Sequence, residues 1–516
     1  MSTPLDLSTT SARAIRDGVA SGAVSAREIA EAAYARIEAL EPDVHAFLQL
    51  TPELAYAAAD RIDAARAAGE TLPPLAGVPA GIKDNMNLLG TRTTCGSKIL
   101  GNYESVYNCT AVARLLAAGA LPIGKCNLDE FAFGSSTENS AYGPTHNPWD
   151  LDRVPGGSSG GSAACVAAGM ASISLGSDTG GSIRQPGSHT GTVALKPTYG
   201  RVSRYGVVAF GSSLDQIGPF GKSVDDVALT LEAIAGEDPR DATSSPEPVR
   251  PYAELARAGV KGLRVGLVRD MLDMEGSAPE VRATVERAAE TFAALGAEVG
   301  EVNMPTARHG LSAYYIIGPA EASSNLASFD GISYGLRVPD AEDVLDLYMR
   351  SRAAGFGPES IRRIMLGTYA LSAGYYDAYY GQAQKARTRI IEDFRAAYQQ
   401  FDVLITPASP TVAFRFGEHT GDPLSMYLSD IFTIPVNLAG NCALSVPAGL
   451  DPATGMPIGL QIIGNYFAEP TLLAAAAAFE SAVAFDPVPP MVKALAGFGG
   501  SGAAAARPSC GAKGGE

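Results

Sequence analysis

Three segments of the chain carry apolar residues at the spacing of one face of an α-helix. The first opens with a capping box, Ser25 to Glu28. Its apolar positions are Ile29, Ala33, Ile37 and Leu40. The second segment is residues 223–235, with Gly236 as its stop, and the third runs from about residue 279 to residue 295. We expect these apolar faces to pack on a protein core.

Short apolar runs between the helical segments predict β-strands. They cover residues 263–268, 403–406, 443–446 and 458–463. Another apolar run, residues 75–82, is flanked by glycine and leads into Lys83, so we expect Lys83 to follow the end of a buried strand. Helices and strands therefore alternate along the chain, which predicts the α/β class.

Loop-like composition marks two places. Residues 237–251 are rich in Pro, Asp and Ser, and we interpret them as a surface connection between parts of one sheet. Residues 496–516 are rich in Gly and Ala, which predicts a disordered tail. We therefore expect a single domain over residues 1–495, although the chain is 516 residues long.

Charge and cysteine usage narrow the possible partners and compartments. The net charge of −16 disfavours nucleic-acid binding by this chain alone, because nucleic-acid affinity comes largely from Lys and Arg. Six cysteines without CxxC spacing predict neither a zinc site nor a disulfide framework. They are Cys95, Cys109, Cys126, Cys165, Cys442 and Cys510. With no secretory signal and no apolar stretch of about 18 residues, we expect a cytoplasmic protein without a membrane span.

Two glycine-embedded serines and one lysine are the candidates for catalysis. Ser158 lies in VPGGSSGGSAACVAAG, Ser182 lies in GSDTGGSIRQPG, and Lys83 lies in GVPAGIKDNMNLLGT. Glycine lets the backbone approach a reacting carbonyl, so successive N–H groups beside Ser182 could stabilise an oxyanion. The five histidines lie in ordinary contexts, and a lysine can serve as the base for a serine nucleophile if burial or a neighbouring cation makes it neutral.

Each of these features also has a non-catalytic interpretation. A Gly/Ser-rich stretch is more often a flexible loop or a phosphate-binding loop, and a lone lysine is usually a solvated surface charge. The phosphate interpretation is disfavoured, because the chain has neither GxxxxGK[ST] nor GxGxxG opening a helix with a suitably spaced acidic residue. The combination of all three segments favours catalysis.

Long strings in the chain resemble the amidase signature family. They are GGSSGGSAA, DTGGSIRQP and ALKPTYGRVSRYG, and the resemblance covers roughly residues 5–490. It implies an amidase signature fold, in which a large mixed twisted β-sheet is covered by helices on both faces. It also implies that Ser182 is the nucleophile, Ser158 a bridging serine on a cis peptide bond, and Lys83 the base. The backbone amides of an oxyanion hole would come from Thr179, Gly180 and Gly181.

Within that family the chain is most similar to the glutaminase subunits of tRNA-dependent amidotransferases. Segments such as KCNLDEFAFGSSTENSAYGPTHNPWD and RRIMLGTYALSAGYYDAYY carry this similarity. It implies a glutamine pocket in which Arg363 binds the α-carboxylate, Asp430 meets the α-ammonium group and Tyr314 forms part of the wall. A shift of one residue would exchange Arg363 for Arg362, or Tyr314 for Tyr315, and the sequence leaves these alternatives open.

The same resemblance implies partners rather than cofactors in this chain. A tRNA-binding kinase subunit would use ATP and Mg²⁺, and a small third subunit would complete a heterotrimer, with no metal in this chain. Ammonia from glutamine would convert Glu-tRNA(Gln), Asp-tRNA(Asn) or both to the amidated form, and the sequence does not choose between them. The alternatives are a stand-alone amidase for other carboxamides and a silent scaffold subunit.

Overall fold

A computed structural model describes residues 6–274 and 276–498 of the chain, and its centre is one sheet of eleven strands. The strands are β1 (Phe47–Leu50), β2 (Pro79–Lys83), β3 (Leu121–Cys126), β4 (Ile173–Asp178), β5 (Val193–Lys196), β6 (Gln216–Gly221), β7 (Arg264–Val268), β8 (Glu298–Val302), β9 (Val403–Pro407), β10 (Ala443–Leu450) and β11 (Pro457–Gly464). Their order across the sheet is β1-β3-β2-β4-β6-β5-β10-β11-β9-β7-β8.

Parallel and antiparallel pairs are mixed in this sheet. Strand β2 runs parallel to both β3 and β4, and β7 runs parallel to both β8 and β9. The central strands from β4 through β6, β5, β10 and β11 to β9 pair antiparallel. The predicted mixed sheet is therefore confirmed.

Helices precede, follow and connect the strands. They are α1 (Ala12–Ser21), α2 (Ala26–Val44), α3 (Pro52–Ala67), α4 (Thr110–Ala117), α5 (Gly160–Ala167), α6 (Arg184–Thr190), α7 (Val224–Ile234), α8 (Tyr252–Leu255), α9 (Arg269–Leu272), α10 (Pro279–Ala294), α11 (Gly310–Asn325), α12 (Val344–Gly355), α13 (Pro358–Leu371), α14 (Gly381–Gln400), α15 (Pro423–Leu428), α16 (Ile434–Ala439), α17 (Glu469–Ala482) and α18 (Pro490–Phe498). Four short turns of other helix types are Glu130–Ala132, Ala307–His309, Leu326–Ser328 and Tyr376–Tyr380.

Two hydrophobic cores lie on opposite faces of the sheet. Leu444 and Ile462 belong to the first core, which also takes in α2, α7 and α17. Their strand neighbours Ala443 and Ile463 belong to the second core, which takes in α11, α14 and α16. Successive residues of a strand point to opposite faces, so helices cover both sides of the sheet, as predicted.

The elements predicted from hydrophobic spacing are present, with shifts at their ends. Ser25 caps α2 through the predicted capping box, and Ser223 caps α7 by accepting the N–H of Asp226. The strands predicted at 443–446 and 458–463 extend further, as β10 and β11, because each pairs along most of its length with the other. No helix or strand lies between α7 and α8, where the surface connection is expected.

The C-terminal prediction is only partly within the described residues. Helix α18 continues to Phe498, three residues into the predicted tail. Residues 499–516 lie outside the described residues. Among the helices that the structure does describe, none is both long and apolar enough to cross a bilayer.

Candidate active site

Lys83 and the loop that carries Ser182 meet at one edge of the sheet. Lys83 is the last residue of β2, and Asp178 is the last residue of β4. These strands are parallel, with Ile82 opposite Leu175, so their carboxyl ends lie side by side. The Asp178–Ser182 loop therefore begins next to Lys83.

The amine of Lys83 is buried and surrounded by neutral oxygens. Its Nζ donates to Ser158 Oγ and to Ser159 Oγ, each at 2.8 Å, and lies 3.4 Å from the carbonyl oxygen of Ser177. Burial removes the charged form from water and lowers the pKa of Lys83 to about 7, although Asp129 and Asp178 act in the opposite direction. A substantial fraction of neutral amine is therefore present at neutral pH.

A second buried lysine, Lys125, has a carboxylate partner, and Lys83 has none among the described residues. Lys125 Nζ lies 2.8 Å from Asp84 Oδ1, and both side chains are buried. Within residues 6–274 and 276–498, no carboxylate oxygen lies within 4 Å of Lys83 Nζ. Lys125 thus has the environment of a structural ion pair, whereas Lys83 has that of an amine that can lose its proton.

Ser158 is placed by the chain that leads into α5. The peptide bond between Gly157 and Ser158 is cis, in agreement with the expectation from the resemblance. Ser159, which follows it, also donates to the carbonyl oxygen of Ser177, at 3.1 Å. The two serines therefore lie together between Lys83 and the end of β4.

The loop from Asp178 to Ser182 is held by its side chains and carbonyl groups. Arg184 Nε and Nη2 donate to the two carboxylate oxygens of Asp178, each at 3.0 Å. The hydroxyl of Thr179 donates to Asp215 at 2.6 Å, and the hydroxyl of Thr433 donates to the carbonyl oxygen of Gly180 at 2.7 Å. These bonds fix the loop without using its N–H groups.

The N–H groups of the loop stay available. Among the described residues, those of Thr179, Gly180 and Gly181 donate to no acceptor. Buried backbone N–H groups are rarely left unpaired in proteins. Three of them beside Ser182, which is 7 % exposed, form an arrangement suited to an oxyanion.

Close packing explains why two of these loop residues are glycines. A Cβ on Gly181 would lie 2.1 Å from Thr433 Oγ1, and its φ of +147° is outside the range that other residues readily adopt. A Cβ on Gly180 would lie 2.8 Å from the ring of Tyr314. The ring of Tyr314 thus packs directly on the loop beside Ser182.

Asp430 brings an unpaired carboxylate oxygen to the same loop. Its Oδ2 accepts a hydrogen bond from Ser135 Oγ at 2.5 Å. Its Oδ1 is buried, lies 3.1 Å from the position of a Cβ on Gly181, and has no partner among the described residues. Burial raises the pKa of Asp430 to about 7. An unpaired buried oxygen of this kind is suited to a cationic ligand group.

Of the two neighbouring arginines, Arg363 is the buried one. Arg363 is 3 % exposed, and its guanidinium carbon lies 4.5 Å from the ring centroid of Tyr315. The side chain of Arg362, in contrast, is 44 % exposed. Tyr314 and Tyr315 also differ, since the first packs on Gly180 and the second on Arg363. The alternatives that the sequence leaves open thus have different surroundings.

A cavity of about 160 Å³ lies beside Arg363. Residues of the loop after β3 form one wall, and Tyr427 and its neighbours form the other; the lining includes Gly134, Ser136, Glu138, Arg363 and Tyr427. Ser135, which lies between the lining residues Gly134 and Ser136 in the chain, donates to Asp430. A cation and a carboxylate therefore occur at one loop, which suits a zwitterionic ligand.

Sequence reasoning missed several residues that shape this site. Ser159 is as close to Lys83 as Ser158 is, and Ser135 and Thr433 hold Asp430 and Gly180. The SS doublet at 158–159 is a visible signal for Ser159. Ser135 and Thr433 carry none, because their partners are distant in the sequence. Among the described residues, no group of three His, Cys, Asp or Glu side chains could hold a metal ion.

The chain is similar over most of its length to proteins of known family. The family model "Amidase" matches residues 28–473. The chain is 57% identical over 467 residues to the A subunit of glutamyl-tRNA(Gln) amidotransferase from Synechococcus sp. (strain WH7803), covering 90% of this chain and 96% of that protein. It is 59% identical to the protein of the same name from Rubrobacter xylanophilus, covering 89% and 95%.

Solved structures give the same picture of the fold. A crystal structure of the glutamyl-tRNA(Gln) amidotransferase A subunit from Thermotoga maritima matches with a TM-score of 0.77 and 41% identity, covering 94% of this chain and 98% of that one. A bacterial aryl acylamidase of the amidase signature family matches with a TM-score of 0.82 and 26% identity, covering 92% and 96%.

Proposed function

Since this chain belongs to the amidase family, we propose that it is the glutamine-hydrolysing A subunit of a glutamyl-tRNA(Gln) amidotransferase. The observation that carries the proposal is the buried Lys83 amine, 2.8 Å from Ser158 Oγ and next to the loop that ends in Ser182. The high identity to named subunits over nearly their whole length supports the choice within the family.

In the proposed reaction, neutral Lys83 accepts a proton from Ser158 while Ser158 accepts one from Ser182. Ser182 Oγ attacks the side-chain amide carbon of glutamine, and the resulting oxyanion accepts hydrogen bonds from the N–H groups of Thr179, Gly180 and Gly181. One such donor lowers a barrier by roughly 3–4 kcal/mol. The proton returns through Ser158 to the leaving nitrogen, and ammonia departs. Water then cleaves the γ-glutamyl ester and releases glutamate.

We assign the substrate head group to the two charges near the loop. Arg363 binds the α-carboxylate, the free oxygen of Asp430 accepts the α-ammonium group, and Tyr314 forms the wall that packs on Gly180. An arginine fork matches a carboxylate, and a zwitterion needs one partner of each sign. The arrangement disfavours the alternative of a stand-alone amidase, because an apolar substrate would leave the buried Oδ1 of Asp430 without a cationic partner.

The remaining parts of the proposal concern the assembly. A kinase subunit binds the tRNA and activates its glutamate with ATP and Mg²⁺, and a small third subunit completes a heterotrimer in the cytoplasm. This chain supplies the ammonia. Its acidic balance supports a division of labour in which tRNA is bound through the partner.

The test uses the chain purified with its coexpressed partner subunits and glutamyl-tRNA(Gln). We expect Ser182→Ala to abolish amidation driven by glutamine, while an ammonium salt still supports amidation at the wild-type rate. The ammonium reaction is the control for folding and assembly. Product formed from glutamine by the Ser182→Ala complex would contradict the proposed nucleophile, and turnover of aryl amides but not glutamine by the wild type would favour the stand-alone amidase.

A further inference from the structure

Two aromatic rings from outside helix α13 contact the guanidinium group of Arg363. Arg363 lies on α13, and its guanidinium carbon is 4.5 Å from the ring centroid of Tyr315 and 4.7 Å from that of Tyr427. Those two rings stack on each other, with centroids 4.0 Å apart. The rings hold the guanidinium laterally, but ring contacts do not fix its rotation about the side-chain axis.

Rotation is fixed by a carboxylate one turn earlier on the same helix. Arg363 Nε donates to Glu359 Oε1 at 2.6 Å. This bond uses the inner nitrogen, so it does not engage the two terminal nitrogens that form the fork suited to a carboxylate. Glu359 is therefore placed to orient Arg363 without occupying the atoms that would meet a ligand.

The carboxylate of Glu359 is itself held from the other wall of the cavity. The hydroxyl of Tyr427 donates to Glu359 Oε1 at 2.8 Å, and Arg362 donates to Oε2. Tyr427 lies on α15, and its carbonyl oxygen accepts the N–H of Asp430 at 3.3 Å. The bond from the Tyr427 hydroxyl thus connects the helix of Arg363 to the segment of Asp430.

The start of α13 is anchored on the sheet side. Gly357, the residue before α13, donates its N–H to Glu130 at 2.8 Å and 3.0 Å, one distance for each oxygen. Ser360 Oγ donates to the same carboxylate at 2.5 Å. Glu130 follows β3 closely, so the first turn of α13, which carries Glu359, is fixed relative to the sheet.

From these contacts we propose that Glu359, held by Tyr427, is a positioning residue that aims the fork of Arg363 at the α-carboxylate of the substrate. The inference rests on the proposed function, because it takes glutamine as that substrate. The inference predicts that loss of Glu359 weakens the binding of substrates that have an α-carboxylate and leaves the binding of other substrates unchanged.

The test compares two amides that differ only in that group. L-Glutamine has the α-carboxylate, and 4-aminobutanamide is glutamine without it. With the full chain in complex with its coexpressed partners, ammonia release is measured for both substrates. We expect Glu359→Ala to raise KM for glutamine about tenfold and to change kcat less than about twofold, because the reacting groups are untouched. We expect kcat/KM for 4-aminobutanamide to change less than about twofold.

Three further variants separate orientation from general damage. Glu359→Gln keeps an oxygen that accepts from Arg363 Nε, so we expect its KM to stay within about threefold of wild type. Tyr427→Phe removes one bond to Glu359, and we expect about a threefold rise in KM for glutamine alone. Arg362→Ala removes the solvent-exposed partner of the same carboxylate and serves as the matched control, with KM unchanged within about twofold.

Several results would overturn the inference. One is an equal loss with glutamine and 4-aminobutanamide in Glu359→Ala, and another is a Glu359→Gln variant as impaired as Glu359→Ala. If Glu359→Ala does not fold, as judged by thermal unfolding, the Tyr427→Phe comparison decides the matter, and equal effects on both substrates contradict the inference. A wild-type complex that hydrolyses no glutamine contradicts the proposed function itself, and this inference with it.

Discussion

The region of the proposed triad and the region of the proposed head-group pocket are built in different ways. Lys83, Ser158 and Ser182 come from a continuous stretch at one sheet edge, and they are fixed by strands β2 and β4 and by the start of α5. Arg363 and Asp430 come from the mainly helical segment between β8 and β10, and the side chain of Asp430 contacts Ser135 and lies beside Gly181.

We therefore expect the first region to govern the chemical step and the second region to govern substrate binding. The first region keeps an amine without a carboxylate partner and leaves three N–H groups free among the described residues. Burying such groups costs stability, and the packed sheet around them offsets that cost. The second region supplies one positive and one negative charge, since Arg363 donates a hydrogen bond to Glu359 and Asp430 accepts one from Ser135. Changes in the first region should therefore affect kcat, and changes in the second should affect KM.

The largest effect is expected at Lys83. We expect Lys83→Ala to lower kcat for glutamine about 10⁴-fold, because it removes the base that Ser158 depends on. Lys83→Arg should be as impaired, because arginine does not lose its proton in proteins. Steady-state ammonia release measures both, and amidation with an ammonium salt checks the fold. An arginine variant with more than a tenth of wild-type kcat would contradict the neutral-amine role.

A smaller effect is expected at Arg363, and it should appear in KM. Removing one partner of a buried charged hydrogen bond costs about 2–5 kcal/mol, so we expect Arg363→Ala to lower kcat/KM for glutamine about 300-fold, mainly through KM. Arg362→Ala is the matched control, since that side chain is exposed. Equal losses in the two variants, or a loss confined to kcat, would break the distinction between the two regions.

The smallest effect concerns pH and distinguishes kcat from kcat/KM. The pKa of Lys83 is lowered to about 7 and the pKa of Asp430 is raised to about 7, both by burial. Below pH 7, Lys83 gains a proton and loses its function as a base, and Asp430 gains a proton and loses its attraction for an ammonium group. Both changes lower activity in acid.

From pH 7 to pH 6, two such groups lower kcat/KM about thirtyfold. We expect kcat to fall only about fivefold, because the bound ammonium group keeps Asp430 ionised. Glutaric acid monoamide, which lacks the ammonium group, does not require Asp430 to be ionised. Its kcat/KM should therefore follow the shallower profile, and a thirtyfold fall with this substrate would contradict the role of Asp430.

The triad region is easier to predict from sequence than the pocket region, for a physical reason. Lys83, Ser158 and Ser182 lie in glycine-rich strings, and close backbone packing, such as that of Gly181 on Thr433, demands glycine and so leaves a visible pattern. Arg363 and Tyr314 lie on helices whose spacing is that of any packed helix. Their neighbours Arg362 and Tyr315 are chemically identical, and only tertiary packing distinguishes them.

The helices and strands of the fold show the same difference between local sequence signals and long-range contacts. Helices with local signals, such as α2 with its capping box and α7 with Ser223, are predictable nearly to the residue. Strands β10 and β11 are longer than the sequence predicts, because cross-strand pairing, which no local window contains, extends them. The contacts of Glu359 with Tyr427 and of Ser135 with Asp430 join residues far apart in the chain, and no local pattern indicates them.

The placement of the two cores on opposite sheet faces has an evolutionary consequence. The helices that supply Arg363 and Tyr314 belong to one core, while the strand that ends in Lys83 contributes to the other. Helices on that side can be remodelled by mutation where the contacts of Tyr314 and Thr433 with Gly180 and Gly181 are kept. New substrate ranges can therefore arise by changes elsewhere in one layer of the architecture, with the hydrolytic chemistry inherited intact.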